Sequence, residues 1–266
     1  MSGGTLFTAV ILAGDRAPDD PVARAARVPC KALVPVGGVP MALRVLQALD
    51  QAQEVGGRIL CGPAWQAVES TDELYALVSS GQVKWVHPQA SPSASAVAAM
   101  RSIPRDSPVL VTTADQALLT APVVDYFCAQ ARARDCDVVV GLTSYERVAS
   151  AWPGIQRTVV KLRDGSVCGC NMYAFLTSEG RSLAEFWRRV ETERKKPIKL
   201  ISTLGWVPVL QFLVGALSLR NGLTQLSRRA GVSIDAVMLP FPEAAIDVDK
   251  VSDWVLAQKI AGTPSS

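Results

Sequence analysis

Two acidic segments of this sequence hold the residue types that could bind a metal. Asp115 follows the almost continuously apolar run 109–114, and Asp247 and Asp249 follow a shorter apolar stretch near the end of the chain. Such a run is typical of a buried parallel strand, and ligands of open α/β sheets gather at the carboxyl ends of strands. Mg²⁺ takes one or two carboxylates together with substrate phosphates. Each segment is therefore a candidate magnesium site or, alternatively, a turn or helix start that favours aspartate.

A glycine and several cations lie on one loop near the start of the chain. The apolar run 9–13 predicts a buried strand, which Gly14 ends. Arg16, Arg24 and Lys31 follow before the next apolar run. A glycine at this place lets backbone N–H groups approach a phosphate closely, and the cations supply charge for a polyphosphate. The loop is a candidate phosphate-binding site.

The same stretch resembles the start of the nucleotidyltransferases that attach a nucleoside monophosphate to a phosphorylated sugar, polyol or cofactor, a family with MobA-like members. Their pattern opens with L-A-(A/G)-G, continues with an arginine and P-K, and ends in P-V-x-G-x-P-M. The opening is matched by Leu12, Ala13 and Gly14. Arg24 has the usual spacing before Lys31, and residues 35–41 match the third part. Two features depart from the pattern: Asp15 stands where a second glycine is common, and the loop before Lys31 is longer, with Cys30 between Pro29 and Lys31.

The resemblance implies a role for each matched position. It implies that Asp115 and Asp249 hold Mg²⁺, with Asp247 on the same face, and that Lys31 and Arg24 offset charge on the phosphates. Lys31, Arg24 and Asp115 are the catalytic set that it implies. The nucleotide would be bound by Leu12, Ala13, Gly14, Arg16, Lys31, Ser93 and Ser95.

Two further segments agree with the resemblance in their order along the chain. The serine-rich turn before the alanine-rich run 94–99 is a good helix N-cap, and in the family such a turn and helix contact the nucleobase. The runs 157–162 and 167–175 are joined by Asp-Gly, which predicts a hairpin. The resemblance implies acceptor contacts at Asn171 and Gly169, although an ordinary polar strand residue is an equal alternative at position 171.

A basic helix and an uncharged run follow one another in the last third of the chain. Residues 179–196 predict a helix with one apolar face and a cluster of lysines and arginines at its end. The run 200–219 carries no charge, but Gly205 and Pro208 break it, so a membrane-spanning helix is not expected. We expect this part to pack in the core, against a second copy, or on a membrane surface.

Composition narrows the class of protein. Of the 266 residues 49% are hydrophobic and 19% are charged, which excludes a disordered chain. The net charge of +3 is too small to indicate a nucleic-acid binder. The six cysteines form no C-x-x-C motif and there is a single histidine, so a zinc site is disfavoured. The start shows no secretory signal, and we expect a cytoplasmic protein, with membrane association left open.

We predict an α/β fold of the glycosyltransferase-A type, with one mostly parallel, Rossmann-like sheet, helices on both faces and a helical appendage. The predicted division is a catalytic domain over 1–178 and 231–266, with a helical insertion over 179–230.

The resemblance implies Mg²⁺-dependent transfer from a nucleoside triphosphate, with CTP or GTP favoured. The acceptor would be a phosphorylated small molecule or lipid precursor, and pyrophosphate would leave. Three alternatives remain open: a molybdenum-cofactor cytidylyl- or guanylyltransferase, a glycosyltransferase of the same fold, and a non-catalytic nucleotide-binding protein. No nucleic-acid partner is expected, and homodimer formation stays open.

Overall fold

Short β-branched runs and longer amphipathic runs alternate along the chain, and the structure, a computed structural model, folds them into strands and helices. It describes residues 5–15, 19–193 and 216–262. In chain order the strands are β1 (Phe7–Leu12), β2 (Pro35–Val36), β3 (Val39–Pro40), β4 (Val55–Cys61), β5 (Lys84–Val86), β6 (Val109–Thr113), β7 (Val138–Ser144), β8 (Val160–Leu162), β9 (Gly165–Phe175) and β10 (Ile234–Met238).

Helices connect the parallel strands of the sheet, because parallel neighbours need a crossover connection. They are α1 (Pro21–Ala26), α2 (Met41–Gln51), α3 (Trp65–Glu69), α4 (Asp72–Ser79), α5 (Pro92–Met100), α6 (Ala121–Arg132), α7 (Tyr145–Ala151), α8 (Ser182–Glu193), α9 (Leu219–Ala230) and α10 (Val251–Ala261). Short 3-10 turns lie at Lys31–Leu33 and Pro242–Ala245.

One sheet of eight strands has the order β10-β7-β9-β6-β1-β4-β5, with β8 paired to β9. β1 lies between β4 and β6 and is parallel to both, so Leu12 is flanked by Cys61 and Thr113 at the same edge. β9 is antiparallel to β6 and β7, because it returns from the β8–β9 hairpin. The predicted mostly parallel α/β sheet is confirmed.

Side chains are buried on both faces of the sheet. Along β1, Phe7, Ala9 and Ile11 pack into one core, whereas Val10 and Leu12 pack into the other. Helices α2 and α6 cover the first face, and α5 covers the second. This two-sided burial explains why the central strands are continuously apolar.

Several predicted elements differ from those in the structure. The apolar spacing over residues 69–80 predicts one helix, which the structure has as α4. The short helix α3 precedes it, and Ser70–Thr71 separate the two. Serine and threonine there bond to the carbonyl of Ala67, which competes with continued helix. Helices α1 and α7 and the β2–β3 hairpin were not expected, because each is too short to show a clear period.

The predicted insertion 179–230 lies partly outside the described residues, and so does the uncharged run up to residue 215. At its start, Ala184 of α8 is fully buried in the core that α5 also lines. Arg181 donates to the carbonyl oxygens of Met100, Ile103, Pro104 and Ser107. Among the described residues, no helix is long and apolar enough to cross a membrane. Whether 179–230 forms a separate unit stays a prediction.

Candidate active site

Asp115 lies directly beyond the carboxyl end of β6, at the sheet edge where β1 also ends. Its carboxylate accepts a hydrogen bond from the hydroxyl of Thr113, and its side chain is 17% exposed. Its carbonyl oxygen accepts from the backbone N–H of Val248 at 3.1 Å. This last contact brings the second acidic segment beside the first, although the two are far apart in sequence.

Lys31 begins the 3-10 turn after the first loop, and its ammonium connects the two acidic segments. Its Nζ donates to Asp115 Oδ2 at 2.7 Å and to Asp249 Oδ1 at 2.8 Å. Burial is the largest single influence on Lys31 and opposes its charge, but the two carboxylates together outweigh it and raise the pKa. Lys31 is therefore a cation at the point where both carboxylates converge.

Asp15, the departure from the expected glycine, has a definite structural role. Its Oδ1 accepts a hydrogen bond from the backbone N–H of Lys31 at 3.0 Å. Burial raises the pKa of this carboxyl, and the bond from Lys31 partly opposes that shift. Asp15 thus ties the two ends of the first loop together and places Lys31.

Asp247 and Asp249 both border the larger cavity described below, but they have different partners. Asp247 pairs with the guanidinium of Arg157 and accepts from Asn171 Nδ2 at 2.9 Å. Asp249 faces Lys31, and its side chain is 48% exposed. Asn171 has a left-handed backbone with φ 47°, a conformation that asparagine tolerates better than most residues.

Two cavities meet at these carboxylates. The smaller, about 300 Å³, includes Ala13, Gly14, Asp15 and Lys31 in its lining. The larger, about 720 Å³, is lined on its far side by residues of the loop before β8 and of β9, among them Arg157, Gly169 and Asn171. Both are bordered by Leu12, Pro92, Thr113, Asp115 and Asp249. The arrangement offers room for two ligands, one on either side of the carboxylates.

The backbone of the first loop rests against a glycine. Gly62 has φ +83°, and a Cβ atom there would lie 2.9 Å from the nitrogen of Gly14 and 3.1 Å from the carbonyl carbon of Ala13. Only glycine allows both this conformation and this approach. Gly62 therefore supports the floor of the smaller cavity, and the sequence pattern did not single it out.

Other predicted site residues lie elsewhere. Ser93 and Ser95 are buried in the first turns of α5, where Ser95 Oγ accepts from the backbone N–H of Gln89 at 2.8 Å. They do not line either cavity, although Pro92 of the same helix lines both. Arg24 is exposed on α1 and is not among the lining residues, and Arg16 is outside the described residues. Their roles stay predictions.

The donor set suits a hard divalent cation that substrate phosphates complete. Among residues 5–15, 19–193 and 216–262 no group of three or more histidine, cysteine, aspartate or glutamate side chains forms a metal cage. Asp115 and Asp249, whose oxygens converge on one ammonium, match the one or two carboxylates that Mg²⁺ uses beside phosphates. All six cysteines are free, and burial raises the pKa of the Cys61 thiol to about 12, so thiolate ligands are disfavoured.

Comparisons with known proteins agree with this geometry. A family model described as the MobA-like NTP transferase domain matches residues 9–233. A solved structure of a hypothetical transferase from Thermus thermophilus is 28% identical, with a TM-score of 0.76 over 94% of this chain and 99% of that chain. No curated protein sequence matches.

Two more distant structures share the fold. The 4-diphosphocytidyl-2C-methyl-D-erythritol synthase from Anaerococcus prevotii is 13% identical, with a TM-score of 0.55 and 97% of both chains covered. A CMP:2-keto-3-deoxy-manno-octonic acid synthetase solved with CTP is 12% identical, with a TM-score of 0.57 over 96% of this chain and 97% of that chain. Since the family model covers most of the sequence, the chain belongs to the MobA-like NTP transferase family and is a nucleotidyltransferase.

Proposed function

We propose that this protein moves a nucleoside monophosphate from a nucleoside triphosphate to a phosphorylated acceptor and releases pyrophosphate. The observation that carries the proposal is that Asp115 and Asp249 border both cavities and share the ammonium of Lys31, which lines the smaller cavity. The smaller cavity, with the Gly14 loop, suits a triphosphate, because backbone N–H groups can approach phosphates there. The larger cavity then takes the acceptor.

In the proposed reaction an acceptor phosphate oxygen bonds to the α-phosphorus of the triphosphate. The bond from that phosphorus to the bridging oxygen breaks, and pyrophosphate leaves with the electron pair. Lys31 would offset charge that grows on the phosphates, since its ammonium contacts the two carboxylates that border both cavities. The first loop would hold the triphosphate in line with the acceptor, because alignment is the main demand of such a transfer.

We propose Mg²⁺ as the cofactor, held by Asp115 and Asp249. When bound, it would neutralise negative charge on the substrate phosphates. Asp247 was also predicted as a ligand, but its oxygens are turned to Arg157 and Asn171, whereas Asp115 and Asp249 converge on the single ammonium of Lys31. We therefore assign the metal to the other two carboxylates.

CTP is the triphosphate we favour, with GTP as the second choice. Support comes from the shared fold, because one of the structures was solved with CTP and another is named for a cytidyl product. The larger cavity is polar at Gln156, Arg157, Thr158 and Lys250, which suits a phosphorylated small molecule, including a lipid precursor or the molybdenum cofactor. The departure at Asp15 no longer favours a non-catalytic role, since its carboxylate accepts a hydrogen bond from the Lys31 backbone and so helps to place Lys31.

The test is pyrophosphate release from CTP, GTP, ATP and UTP with Mg²⁺ and a panel of phosphorylated acceptors. We expect one pair of substrates to release pyrophosphate, and we expect EDTA to abolish that release. Asp115→Asn should retain the fold and lower turnover by about 10²-fold or more, because metal stabilisation of the transition state is worth several kcal/mol. Wild-type turnover in this variant at saturating Mg²⁺ would contradict the assignment of Asp115.

A further inference from the structure

Arg157 lies in the wall of the larger cavity, but its guanidinium points at aspartates. It pairs with the carboxylate of Asp247 and donates from Nη1 to the backbone oxygen of the same residue at 3.1 Å. The same Nη1 is 3.6 Å from Asp253 Oδ1. The Arg157 side chain is only 11% exposed. A planar guanidinium that contacts both the side chain and the main chain of one residue fixes the orientation of that residue.

The two aspartates that Arg157 contacts lie on either side of Asp249 in the sequence. Asp253 Oδ2 accepts from the backbone N–H groups of Asp249 at 3.1 Å and Lys250 at 2.9 Å. Asp247 is two residues before Asp249, across the buried Val248. The Asp249 side chain is 48% exposed, so the backbone that carries it helps to place its carboxylate beside Lys31. Its position therefore depends on the backbone that Asp247 and Asp253 hold.

Asp247 and Asp249 have different partners, which indicates different roles for the two carboxylates. One oxygen of Asp247 meets Arg157, and the other accepts from Asn171. Asp249 instead meets Lys31 across from Asp115. A metal ligand keeps an oxygen directed at the ion, and outer partners orient it. By this criterion Asp249 is placed as a ligand and Asp247 as an outer partner.

We infer that Arg157 is a positioning residue that, through Asp247 and Asp253, holds Asp249 in the place where it binds the metal. Asp247 belongs to this support and is not itself a ligand. The inference rests on the proposed function, because it takes Asp115 and Asp249 as the metal site. Asn171, predicted as an acceptor contact, also belongs to the support through its bond to Asp247.

The test measures Mn²⁺ binding to the nucleotide-free protein, with free Mn²⁺ followed by electron paramagnetic resonance. Arg157→Met should weaken Mn²⁺ binding by about 10- to 100-fold, the usual effect of losing an outer partner. Arg147→Met, an exposed arginine on α7, removes the same charge away from the site and should bind Mn²⁺ as the wild type does. Asp247→Asn should lose less affinity than Asp249→Asn.

Thermal unfolding of each variant checks that it is folded. If Arg157→Met does not fold, Arg157→Lys serves instead, because lysine keeps the charge but cannot contact the carboxylate and the backbone oxygen of Asp247 together. We expect this variant to bind Mn²⁺ several-fold more weakly than the wild type. A folded variant at position 157 with wild-type Mn²⁺ affinity and a raised KM for the acceptor would overturn the inference, since Arg157 would then contact the acceptor.

The outcome separates this inference from the proposed function. If Asp115→Asn and Asp249→Asn lose Mn²⁺ binding while the variant at 157 keeps it, only the inference fails. If Asp115→Asn and Asp249→Asn bind Mn²⁺ as the wild type does, the proposed metal site fails and the inference with it. If Asp247→Asn binds Mn²⁺ as weakly as Asp249→Asn does, Asp247 is a ligand and its assigned role is overturned.

Discussion

Lys31 connects the first loop with the carboxylates of Asp115 and Asp249, and these neighbours explain why a lysine suits this position. The side chain is 18% exposed and has two anionic partners. A compact ammonium on a flexible stem can hold these carboxylates in the absence of substrate and can also reach phosphates. Lysine therefore suits this position both in the empty site and in the site with substrate phosphates bound.

Lys31→Met removes this cation and leaves Asp115 and Asp249 facing each other. We expect kcat to fall more than the KM for the triphosphate rises, because the charge that Lys31 offsets grows during transfer. We also expect a loss of about 1–3 kcal/mol of folding stability without metal, less than for a fully buried pair because Asp249 is half exposed. Steady-state kinetics and thermal unfolding in EDTA measure both effects.

Lys161→Met is the matched control, since Lys161 is exposed on β8. It should leave kcat and unfolding unchanged. A pure KM effect in Lys31→Met would mean that Lys31 binds only the ground state, contrary to the proposed role.

At the scale of secondary-structure elements, the site depends on where strands end and on what supports their loops. The ends of β1 and β6 are neighbours, and the last acidic segment reaches them through the bond from Val248 to Asp115. After the undescribed part of the chain, Leu219 N–H donates to Asp164 Oδ1 at 3.0 Å, so α9 starts against the β8–β9 turn. Loops held in this way can carry function on a rigid sheet.

Gly62→Ala tests the support of the first loop. The new methyl group would press on the backbone of Ala13 and Gly14, in addition to the strain of a positive φ. We expect a loss of about 1–3 kcal/mol of stability together with a higher KM for the triphosphate. Gly81→Ala is the matched control, because Gly81 also has a positive φ of +77° but has open space around it. Equal KM values in the two variants would contradict the role of Gly62.

Asp137 joins the end of β9 to the start of β10, and it gives a pH-dependent prediction. Hydrogen bonds from the side chains of Ser233 and Thr177 lower the pKa of its carboxyl. The stabilisation is therefore present above the unfolded pKa of about 3.9 and is lost as pH falls through the lower native pKa. Because the carboxyl is largely solvated, Asp137→Asn should cost only about 1 kcal/mol at pH 7.

Denaturant unfolding at a series of pH values between 7 and 2.5 measures this effect. The difference in the free energy of unfolding between the wild type and Asp137→Asn should become smaller as the pH falls toward 2.5. Asp135→Asn changes an exposed neighbour and should have the wild-type free energy of unfolding at every pH. A difference that is independent of pH would rule out the charge of Asp137 as its cause.

At the scale of the whole molecule, the part from Glu179 to Leu219 carries the remaining prediction. We expect it to pack against a second copy or a membrane surface, because its basic helix is followed by an uncharged run broken by Gly205 and Pro208. Much of it lies outside the described residues, although the start of α8 packs against α5.

Light scattering and co-sedimentation with vesicles distinguish a dimer interface from a membrane-binding surface. If the surface faces lipid, association should need anionic lipid and weaken in salt. If it is a dimer interface, polar substitutions at Phe212 and Leu213 should give soluble monomers. If the wild-type protein is a monomer and does not co-sediment with vesicles, both forms of the prediction are wrong.

Much of the fold was predictable, because continuous β-branched runs indicate buried strands and amphipathic runs indicate helices without reference to distant residues. The strands β1, β6 and β9 and the helix α5 lie within a few residues of their predicted places. The double-sided burial of β1 and β6 is what made those runs conspicuous. Short elements were missed, because a helix of five to seven residues shows too little of the 3.6-residue period.

The sequence by itself determined the fold class, the nucleotidyltransferase family and the candidate carboxylates, since each of these depends on local runs and motifs. Only the tertiary structure decided which groups meet. It brought Arg157 to Asp247 and Asp253, put Gly62 under Gly14, and gave Asp15 its bond to Lys31. These contacts join residues brought together by sheet order and loop paths, and no local pattern of one sequence encodes such distances.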